Sequence, residues 1–378
     1  MHLVGHGPTI VAVIRDRYGQ HVQRVRVAVV FGGRSSEHGI SCVSAGSILR
    51  ALDPLAYEAV AIGIAPDGAW FLQDVDPDLL QIRGGVVPSV QASGLPVVLS
   101  ADPTVRSPEL GVIDVVFPVL HGPWGEDGTI QGLLEMSGIP YVGSGVMASA
   151  VAMDKGTMKA IFASAGLAVG PYAVITDRQW RADRVAALAR ARTVGFPMFV
   201  KPARAGSSQG ISKVHSDADL EAAIDAARAH DPRVIVEASV EGVREIECGV
   251  LEDEAGVPRA SRCAEIIVGG EHEFYDFDAK YLDDSTDLVV PADLDEAIEA
   301  EVQRQACLAF EAIGCEGLAR VDFFVGPSGE VIVNEVNTMP GFTPISMFPR
   351  MWGESGMAYA DLVSHLIRDA QRRGTGLR

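Results

Sequence analysis

One segment near the carboxyl end of the chain constrains its fold more than any other. Two apolar runs, LARVDFFV and VIVNEVN, flank the turn sequence GPSGE and together predict a β-hairpin. Because side chains alternate along a strand, Arg320 and Asp322 should share one face of the first strand. The same alternation should place Val333, Glu335 and Asn337 on one face of the second strand. The hairpin is therefore expected to present charged and amide side chains on one side.

These polar side chains predict a metal site. A turn centred on residues 327–330 puts Asp322 directly opposite Glu335. Like charges opposed across a sheet are destabilising, so a cation is expected between them. Carboxylate and amide oxygens without His or Cys suit Mg²⁺, which makes Asp322, Glu335 and Asn337 the candidate ligands. A solvated hairpin face is the alternative interpretation.

A glycine-containing loop follows Lys201 in the sequence KPARAGSSQG. Gly206 and Gly210 allow the backbone to close over an anion with its N–H groups while the lysine supplies charge, which predicts a nucleotide-phosphate site. A flexible turn without a ligand is the alternative. The string GSSQG also matches GxSxG with Ser208 as nucleophile, but a strand, ISKV, follows where a nucleophile elbow needs a helix. A serine hydrolase is therefore disfavoured.

A dinucleotide-binding loop is disfavoured as well. FGG after the first strand lacks the full GxGxxG spacing, whereas GSGVMA matches the variant that ends in Ala. The acidic residue expected about twenty positions further on is missing, because residues 163–165 are Ala, Ser and Ala. Gly143 and Gly145 are therefore interpreted as a domain-junction turn.

The remaining pattern predicts an α/β domain followed by α+β structure. The buried runs RVRVAVVFGG, YEAVAIGIA and GVIDVVFPVLHG alternate with polar or helical stretches, as in a largely parallel sheet. Beyond Gly145 the segment ASAVAMDKGTMKAIFASAG predicts one helix, and the loop after Lys201 predicts a hairpin rather than a crossover.

Composition excludes several classes of function. The 378 residues include 31 basic and 50 acidic side chains, and the formal charge of −19 disfavours binding to nucleic acid or to an anionic membrane. No apolar run reaches the roughly 18–20 residues that span a bilayer. The five cysteines show neither CxxC spacing nor a His/Cys cluster, so a reducing cytoplasm fits best. At roughly 150 residues per domain, the length predicts two to three soluble domains.

Three further polar clusters lie in predicted loops: Glu37, the string HGPWGEDGTIQGLLE from His121, and YDFDAKYLDD from Tyr275. A carboxylate such as Glu37 near the carboxyl end of a strand can bind an ammonium group. A charge that complements the dipole at a helix start is the alternative for Glu37. Taken alone, His121 is better explained as a loop histidine with satisfied hydrogen bonds than as a site residue.

Taken together, these strings resemble the D-alanine–D-alanine ligases of the ATP-grasp superfamily. The match runs from about Val25 to the final helix. It is carried by FGGRSSEHGIS, HGPWGEDGTIQGLLEMSGIPYVGSG, MDK, VKPARAGSSQGISKV, REIECGVLE, YDFDAKY, ARVDFF and VNEVNTMPGFTPISMFP.

The resemblance implies an amino-terminal Rossmann-like parallel-sheet domain followed by a two-part ATP-grasp fold. Residues 1–24 would form an extension, with disorder as one interpretation. Residues 25–145 would form the substrate-binding α/β domain, residues 146–236 the small lid subdomain, and residues 237–378 the catalytic subdomain.

The resemblance also implies the reaction. ATP would phosphorylate one D-alanine to D-alanyl phosphate, and the amine of a second D-alanine would attack it, giving D-alanyl-D-alanine for peptidoglycan precursor synthesis with release of ADP and phosphate. The implied cofactor is a pair of Mg²⁺ ions, with Mn²⁺ as an alternative, held by Asp322, Glu335 and Asn337, with Glu335 bridging.

The resemblance assigns the other site residues by role. A hydrogen-bonded triad that closes the site would consist of Glu37, Ser207 and Tyr281. The donors that stabilise charge on the attacked carbonyl would be Arg320 and the N–H of Gly341. The first D-alanine would lie near His121, and the carboxylate of the second would bind Ser346. The ATP-binding residues would be Lys155, Lys201, Ser208, Glu237, Glu245 and Lys280. Among these, Lys155, Lys201 and Lys280 would contact the phosphates and Glu245 the ribose.

The strand VIVEASV would supply the adenine contacts, and here the chain departs from the family pattern. Glu237 and Glu245 lie one residue further apart than is common, and Ala238 replaces a residue that is frequently charged. Small-molecule substrates, a homodimer and a cytoplasmic location are the remaining implications, with no nucleic-acid or membrane partner.

Several alternatives stay open at this stage. A ligase of the same fold could use D-lactate or D-serine as its second substrate, although the tyrosine loop around Tyr281 favours D-alanine. An ATP-grasp enzyme could act on another carboxylate, as a carboxylase does, but the loop GFTPIS would then have no reason to match. A non-catalytic nucleotide-binding regulator is the candidate from a different class.

Overall fold

The computed structural model describes residues 24–74, 76–105, 107–206, 209–240, 242–268, 286–376 and 378. Their strands form three sheets. The amino-terminal extension, Ser207, Ser208, Lys280 and Tyr281 lie outside the described residues.

The first sheet has a parallel centre, as the sequence predicted. Its strands are β1 Val25–Gly32, β2 Tyr57–Ile64, β3 Trp70–Gln73, β4 Leu95–Pro96 and β5 Val115–Pro118, in the order β4-β3-β2-β1-β5. Strand β1 runs parallel to both β2 and β5. A short 3₁₀ helix spans Pro77–Leu79, and the two α-helices of this part are α1 His38–Ala51 and α2 Thr129–Ser137.

The two faces of this sheet are covered by different helices because apolar side chains alternate along β1. Val27, Val29 and Phe31 pack with α1, whereas Ala28 and Val30 pack with α2. The carboxyl ends of β1 and β5 lie side by side since the two strands are parallel neighbours. The loops that carry Glu37 and His121 therefore open on the same edge of the sheet.

The second sheet is antiparallel, in the order β6-β9-β7-β8. Its strands are β6 Tyr172–Ile175, β7 Met198–Pro202, β8 Ser212–Val214 and β9 Val234–Ala238. Strands β7 and β8 pair antiparallel, which confirms the hairpin around the glycine-containing loop. The helices of this part are α3 Val146–Met153, α4 Lys155–Ser164, α5 Asp177–Ala182, α6 Arg184–Arg192 and α7 Asp217–Arg228.

The prediction of one continuous helix over residues 148–166 is wrong. Asp154 takes an extended conformation between α3 and α4, and its Oδ1 accepts a hydrogen bond of 2.9 Å from the backbone N–H of Thr157. A carboxylate at this position satisfies an N–H that the helix start leaves unpaired, so a new helix begins there. The break places Lys155 on the first residue of α4.

The third sheet is also antiparallel, in the order β12-β11-β10-β13-β14. Its strands are β10 Arg244–Glu252, β11 Pro258–Val268, β12 Thr286–Val289, β13 Leu318–Val325 and β14 Val331–Asn337. The helices are α8 Glu296–Ala312, α9 Met347–Glu354 and α10 Tyr359–Arg373. Helices α3, α4 and α8 contribute to the core beneath this sheet, whereas α10 returns to the core that α1 shares with the first sheet.

A β-bulge changes the predicted face of β14. Asp322 pairs with Glu335, as expected, but Phe323 pairs with Val333, so Asn334 is an extra residue without a partner on β13. The bulge reverses the alternation, and Val333 faces the core with Phe323. The prediction that Val333 shares the face of Glu335 and Asn337 is therefore wrong.

No helix within the described part of the chain is both long enough and apolar enough to cross a membrane.

Candidate active site

The hairpin of β13 and β14 places three predicted metal ligands together. Arg320 donates from Nε and Nη2 to the two carboxylate oxygens of Asp322, at 2.7 Å each. Asn337 donates from Nδ2 to Asp322 Oδ2 at 3.0 Å, and Glu335 is the register partner of Asp322. The hairpin geometry inferred from the sequence is confirmed at these positions.

Glu247 extends this row of charges onto β10, where it is the register partner of Asp322. It is buried, and its Oε1 lies 3.2 Å from Arg320 Nε. Burial lowers the pKa of Arg320, but the charges of Asp322 and Glu247 outweigh burial and hold that pKa well above its usual value. Sequence reasoning missed Glu247, although strand alternation places it on the same face as Glu245.

Lys155 approaches the hairpin from the start of α4. Its Nζ lies 3.4 Å from Glu335 Oε2 and donates to the carbonyl of Ala205 at 3.1 Å. Helix α4 thus places the ammonium group of Lys155 beside Glu335, one of the predicted metal ligands. Lys155 also contacts the backbone of the loop that precedes Gly206.

Glu237 is buried between two lysines. Lys201 Nζ lies 2.7 Å from Glu237 Oε2, and Lys159 Nζ lies 2.9 Å from Glu237 Oε1. Lys159 also donates to the carbonyl of Asn334, the bulge residue, at 3.1 Å. Burial raises the pKa of Glu237, but the two ammonium groups outweigh burial and lower it far below its usual value.

The same contacts affect Lys201. Burial lowers its pKa, but the attraction of Glu237 outweighs burial, and the pKa of Lys201 is raised. Lys159 was not predicted from the sequence. It lies four residues after Lys155 on α4, and that spacing puts the two side chains on one helical face, which was the signal available.

The donor set fits a hard divalent cation. Asp322, Glu335 and Asn337 supply carboxylate and amide oxygens on one face, and Arg320 and Lys155 neutralise the two carboxylates in this structure. In the described ranges, no group of three or more His, Cys, Asp or Glu side chains is arranged as a metal cluster.

The carboxylate of Glu37 lies between two glycines of different loops. An added Cβ on Gly122 would lie 2.5 Å from Glu37 Oε2, and one on Gly206 would lie 2.8 Å from the same atom. The backbone of Gly122 has φ +72°, a conformation that also favours glycine. Both loops therefore approach Glu37 closely only because these positions lack a side chain. Glu37 is itself buried.

His121 is buried next to this carboxylate. Its Nδ1 lies 3.0 Å from the carbonyl oxygen of Met339, and its Nε2 lies 3.3 Å from Ser44 Oγ. Burial lowers the pKa of His121, and this effect is larger than that of the Glu37 charge, which raises the pKa. The ring is therefore neutral near pH 7, with Nδ1–H donating to Met339.

Glu126 joins the same region from the loop after His121. Its Oε2 accepts from the backbone N–H of Gly122 at 2.6 Å, and its Oε1 accepts from the N–H of Met339 at 3.2 Å. Burial and the charge of Glu37 raise the pKa of Glu126 to about 8. Sequence reasoning did not select Glu126, and its position in a loop leaves no periodic signal.

Ser346 and Gly341 face each other across the turn before α9. An added Cβ on Gly341 would lie 3.2 Å from Ser346 Oγ. The Ser346 hydroxyl also accepts from the Thr343 N–H at 3.1 Å and lies 2.8 Å from Thr343 Oγ1. Ser346 immediately precedes α9, so it lies at the positive end of that helix dipole.

One cavity of about 720 Å³ joins these groups. The predicted site residues among its lining are Glu37, His121, Lys155, Lys201, Glu237, Glu245, Arg320, Asp322, Glu335, Asn337, Gly341 and Ser346. Such a volume suits a nucleotide together with small substrates.

Two family models match consecutive parts of the chain. The model described as D-ala D-ala ligase N-terminus matches residues 26–144, and the one described as D-ala D-ala ligase C-terminus matches residues 161–368. The chain belongs to the D-alanine–D-alanine ligase family.

Curated relatives and solved structures agree with this membership. The D-alanine–D-alanine ligase of Paenarthrobacter aurescens (strain TC1) is 54% identical over 94% of this chain and 97% of its own length. The one from Mycobacterium avium (strain 104) is 55% identical over 94% of this chain and 99% of its own length.

Two solved structures share the fold of this ligase-family chain. VanG D-Ala:D-Ser ligase from Enterococcus faecalis has a TM-score of 0.79 at 34% identity, over 92% of this chain and 100% of its own. The D-alanine–D-alanine ligase from Coxiella burnetii has a TM-score of 0.78 at 34% identity, over 93% and 95%. The expected ATP-grasp architecture is confirmed.

Proposed function

We propose that this protein joins two D-alanines in an ATP-dependent reaction that supplies D-alanyl-D-alanine for peptidoglycan precursors. One observation carries the proposal: a single cavity is lined both by the lysines and the carboxylate and amide side chains of the β13–β14 hairpin and by the buried carboxylate of Glu37. The family relatives named above support the choice of D-alanine for both substrates.

The ATP end of the cavity would drive the first step. A carboxylate is a poor electrophile, so the γ-phosphate is transferred to the first D-alanine to form an acyl phosphate. Lys155 and Lys201 would hold the phosphates, because fixed cations stabilise charge that develops in the transition state. Two Mg²⁺ or Mn²⁺ ions bound by Asp322, Glu335 and Asn337 would neutralise phosphate charge.

The other end would orient the two amino acids. The charge of Glu37 suits the ammonium group of the first D-alanine, beside the neutral ring of His121. Ser346, at the positive end of α9, suits the carboxylate of the second. Arg320 and the N–H of Gly341 would stabilise negative charge on the carbonyl while the second amine attacks and phosphate leaves.

Four assignments remain proposals that rest on the resemblance alone. Ser207 and Tyr281 would complete the triad with Glu37, Lys280 would reach the γ-phosphate, and Ser208 would contact ATP. For Glu237, the contacts with Lys201 and Lys159 favour a role in positioning Lys201 for the phosphates, while Glu245 would bind the ribose.

The competing function is ligation of D-alanine to D-serine or D-lactate. The fold similarity to the D-Ala:D-Ser ligase from Enterococcus faecalis makes this the candidate to exclude. ADP release should be measured with ATP, Mg²⁺ and D-alanine, L-alanine, D-serine or D-lactate, singly and in pairs, with the product mass determined in parallel.

Each outcome decides between the candidates. D-alanine alone should support ADP release and yield a D-alanyl-D-alanine mass. If ADP release requires D-serine or D-lactate, that compound is the second substrate in place of D-alanine, and the proposed mechanism is otherwise kept. No release with any of these compounds would contradict the ligase proposal and favour a nucleotide-binding regulator.

We propose that the chain forms three structural units, residues 25–145, 146–236 and 237–378, and the three separate sheets support this division. Two details of packing adjust it, because β9 continues to Ala238 and α3 and α4 pack beneath the third sheet. A cytoplasmic homodimer, with no nucleic-acid or membrane partner, completes the proposal, and light scattering of the purified protein would test the dimer.

A further inference from the structure

The backbone of Met339 is held at both of its polar groups by one loop of the first domain. Its N–H donates to Glu126 Oε1 at 3.2 Å, and its carbonyl oxygen accepts from His121 Nδ1 at 3.0 Å. Met339 is buried, and it lies between Asn337 at the end of β14 and Gly341. The segment that connects the β13–β14 hairpin to Gly341 is thus fixed at Met339 by a loop of the first domain.

The second oxygen of Glu126 closes this connection. Oε2 accepts from the N–H of Gly122 at 2.6 Å, and Gly122 is the residue that lies against the carboxylate of Glu37. The Glu126 carboxylate therefore connects the loop that contains His121 and Gly122 to the loop that carries Gly341. Among the residues that the structure describes, neither of these backbone N–H groups donates to a backbone carbonyl, so their geometry depends on the Glu126 side chain.

We propose that Glu126 is a positioning residue that ties the His121–Gly122 loop to the Met339 peptide and thereby fixes Gly341 for the attack of the second D-alanine. The inference rests on the proposed ligase function for its catalytic consequence. The tie itself is a property of the loops and holds whatever the substrate.

The charged surroundings of Glu126 bear on how the tie responds to pH. Glu37 of the first domain and Arg320 of β13 act on Glu126, and both also act on His121, which shares the Met339 contact. Burial and Glu37 oppose ionisation, whereas the two N–H donors and Arg320 favour it. The ionised carboxylate accepts fully from both donors, because protonation engages one oxygen as an O–H donor.

The test compares Glu126→Gln and Glu126→Asp with Asp127→Asn. A glutamine must turn its NH₂ toward one of the two N–H donors, and an aspartate keeps the charge but is one methylene too short to span both loops. Asp127 is the matched control, because it accepts from the N–H groups of Trp124 and Thr129 within the same loop and not from Met339.

The first readout is hydrogen exchange of the peptide that contains Met339. At pH 9, above the pKa of about 8 of Glu126, exchange in this peptide should become at least about tenfold faster in Glu126→Gln, since a lost hydrogen bond to a charged acceptor corresponds to roughly a tenfold change or more. It should stay within about twofold of wild type in Asp127→Asn. Unchanged exchange in Glu126→Gln would overturn the proposal, whether or not the protein is a ligase.

The second readout is the division of the effect between kcat and KM. Glu126→Gln should lower kcat about 10- to 100-fold, because small displacements of catalytic groups have effects of this size, while the KM for ATP stays within about twofold. Glu126→Asp should not restore kcat. Faster exchange with unchanged kcat would contradict the positioning role of Glu126. If the wild-type protein releases no ADP, the ligase function is contradicted, and the exchange result alone then tests whether Glu126 connects the two loops.

Discussion

Replacing Lys159 by methionine tests the buried charge cluster at the proposed phosphate end of the cavity. Lys159 is 4% exposed, and its Nζ contacts Glu237 Oε1 at 2.9 Å and the carbonyl of Asn334 at 3.1 Å. Methionine has a similar length and fills the same space, so the substitution removes charge and donors without a large cavity. It leaves Glu237 with one lysine instead of two.

The expected cost follows from burial. Removing one partner of a buried ion pair costs about 3–5 kcal/mol, and we expect the lower end, about 3 kcal/mol, because Lys201 stays 2.7 Å from Glu237. At about 2–4 °C per kcal/mol, the melting temperature should fall by roughly 6–12 °C. The KM for ATP should rise about tenfold, because the Glu237 carboxylate attracts the ammonium group of Lys201 more strongly once Lys159 is replaced.

The assay is a pair of thermal melts and ATP titrations with Lys213→Met as control. Lys213 lines the same cavity, and its Nζ lies 5.9 Å from the centre of the Phe199 ring. Its replacement should change stability by about 0.5 kcal/mol or less. If both variants melt at the same temperature, the reasoning about Lys159 and Glu237 is refuted.

Three further predictions concern the rest of the site. Asp322→Asn should lower ADP release by at least about 100-fold and should also lower the melting temperature, because the Asp322 carboxylate accepts two hydrogen bonds from Arg320; near-normal release would exclude Asp322 as a metal ligand. Gly122→Ala should raise the KM for D-alanine because its Cβ would lie 2.5 Å from Glu37 Oε2, whereas Gly166→Ala, at φ +82° with no atom within 4 Å, carries similar backbone strain and should leave that KM unchanged. The pKa of Glu126 is raised from 4.5 to about 8, so its contribution to stability is fully present below pH 4.5 and is lost as pH rises to about 8. The melting temperature of wild type minus that of Glu126→Gln should therefore decrease from pH 5 to pH 8, and an increase would contradict the pKa shift.

The sequence determined those parts of the site that depend on local periodicity. Alternation along two strands and a short turn were enough to place Asp322 opposite Glu335, because register in a hairpin follows from its turn. The parallel arrangement of β1 and β5 likewise followed from buried apolar runs, and it brings Glu37 and His121 to one edge of the sheet.

Local periodicity failed wherever a single residue interrupts it. The bulge at Asn334 turned Val333 toward the core, and the extended Asp154 divided the predicted helix. Both interruptions are stabilised by contacts that a pattern of apolar residues does not encode. At the bulge, the freed carbonyl of Asn334 accepts from Lys159 on α4.

Only the tertiary structure decided which distant groups share one environment. Glu126 and Met339 are 213 positions apart in the chain, yet a hydrogen bond joins them, and Glu247 lies beside Arg320 because β10 pairs with β13. Periodicity reports which face of an element is buried, but it does not report which loop is packed against that face. The pKa values of Glu126 and Arg320 therefore depend on how separate domains pack, since burial and neighbouring charges shift both.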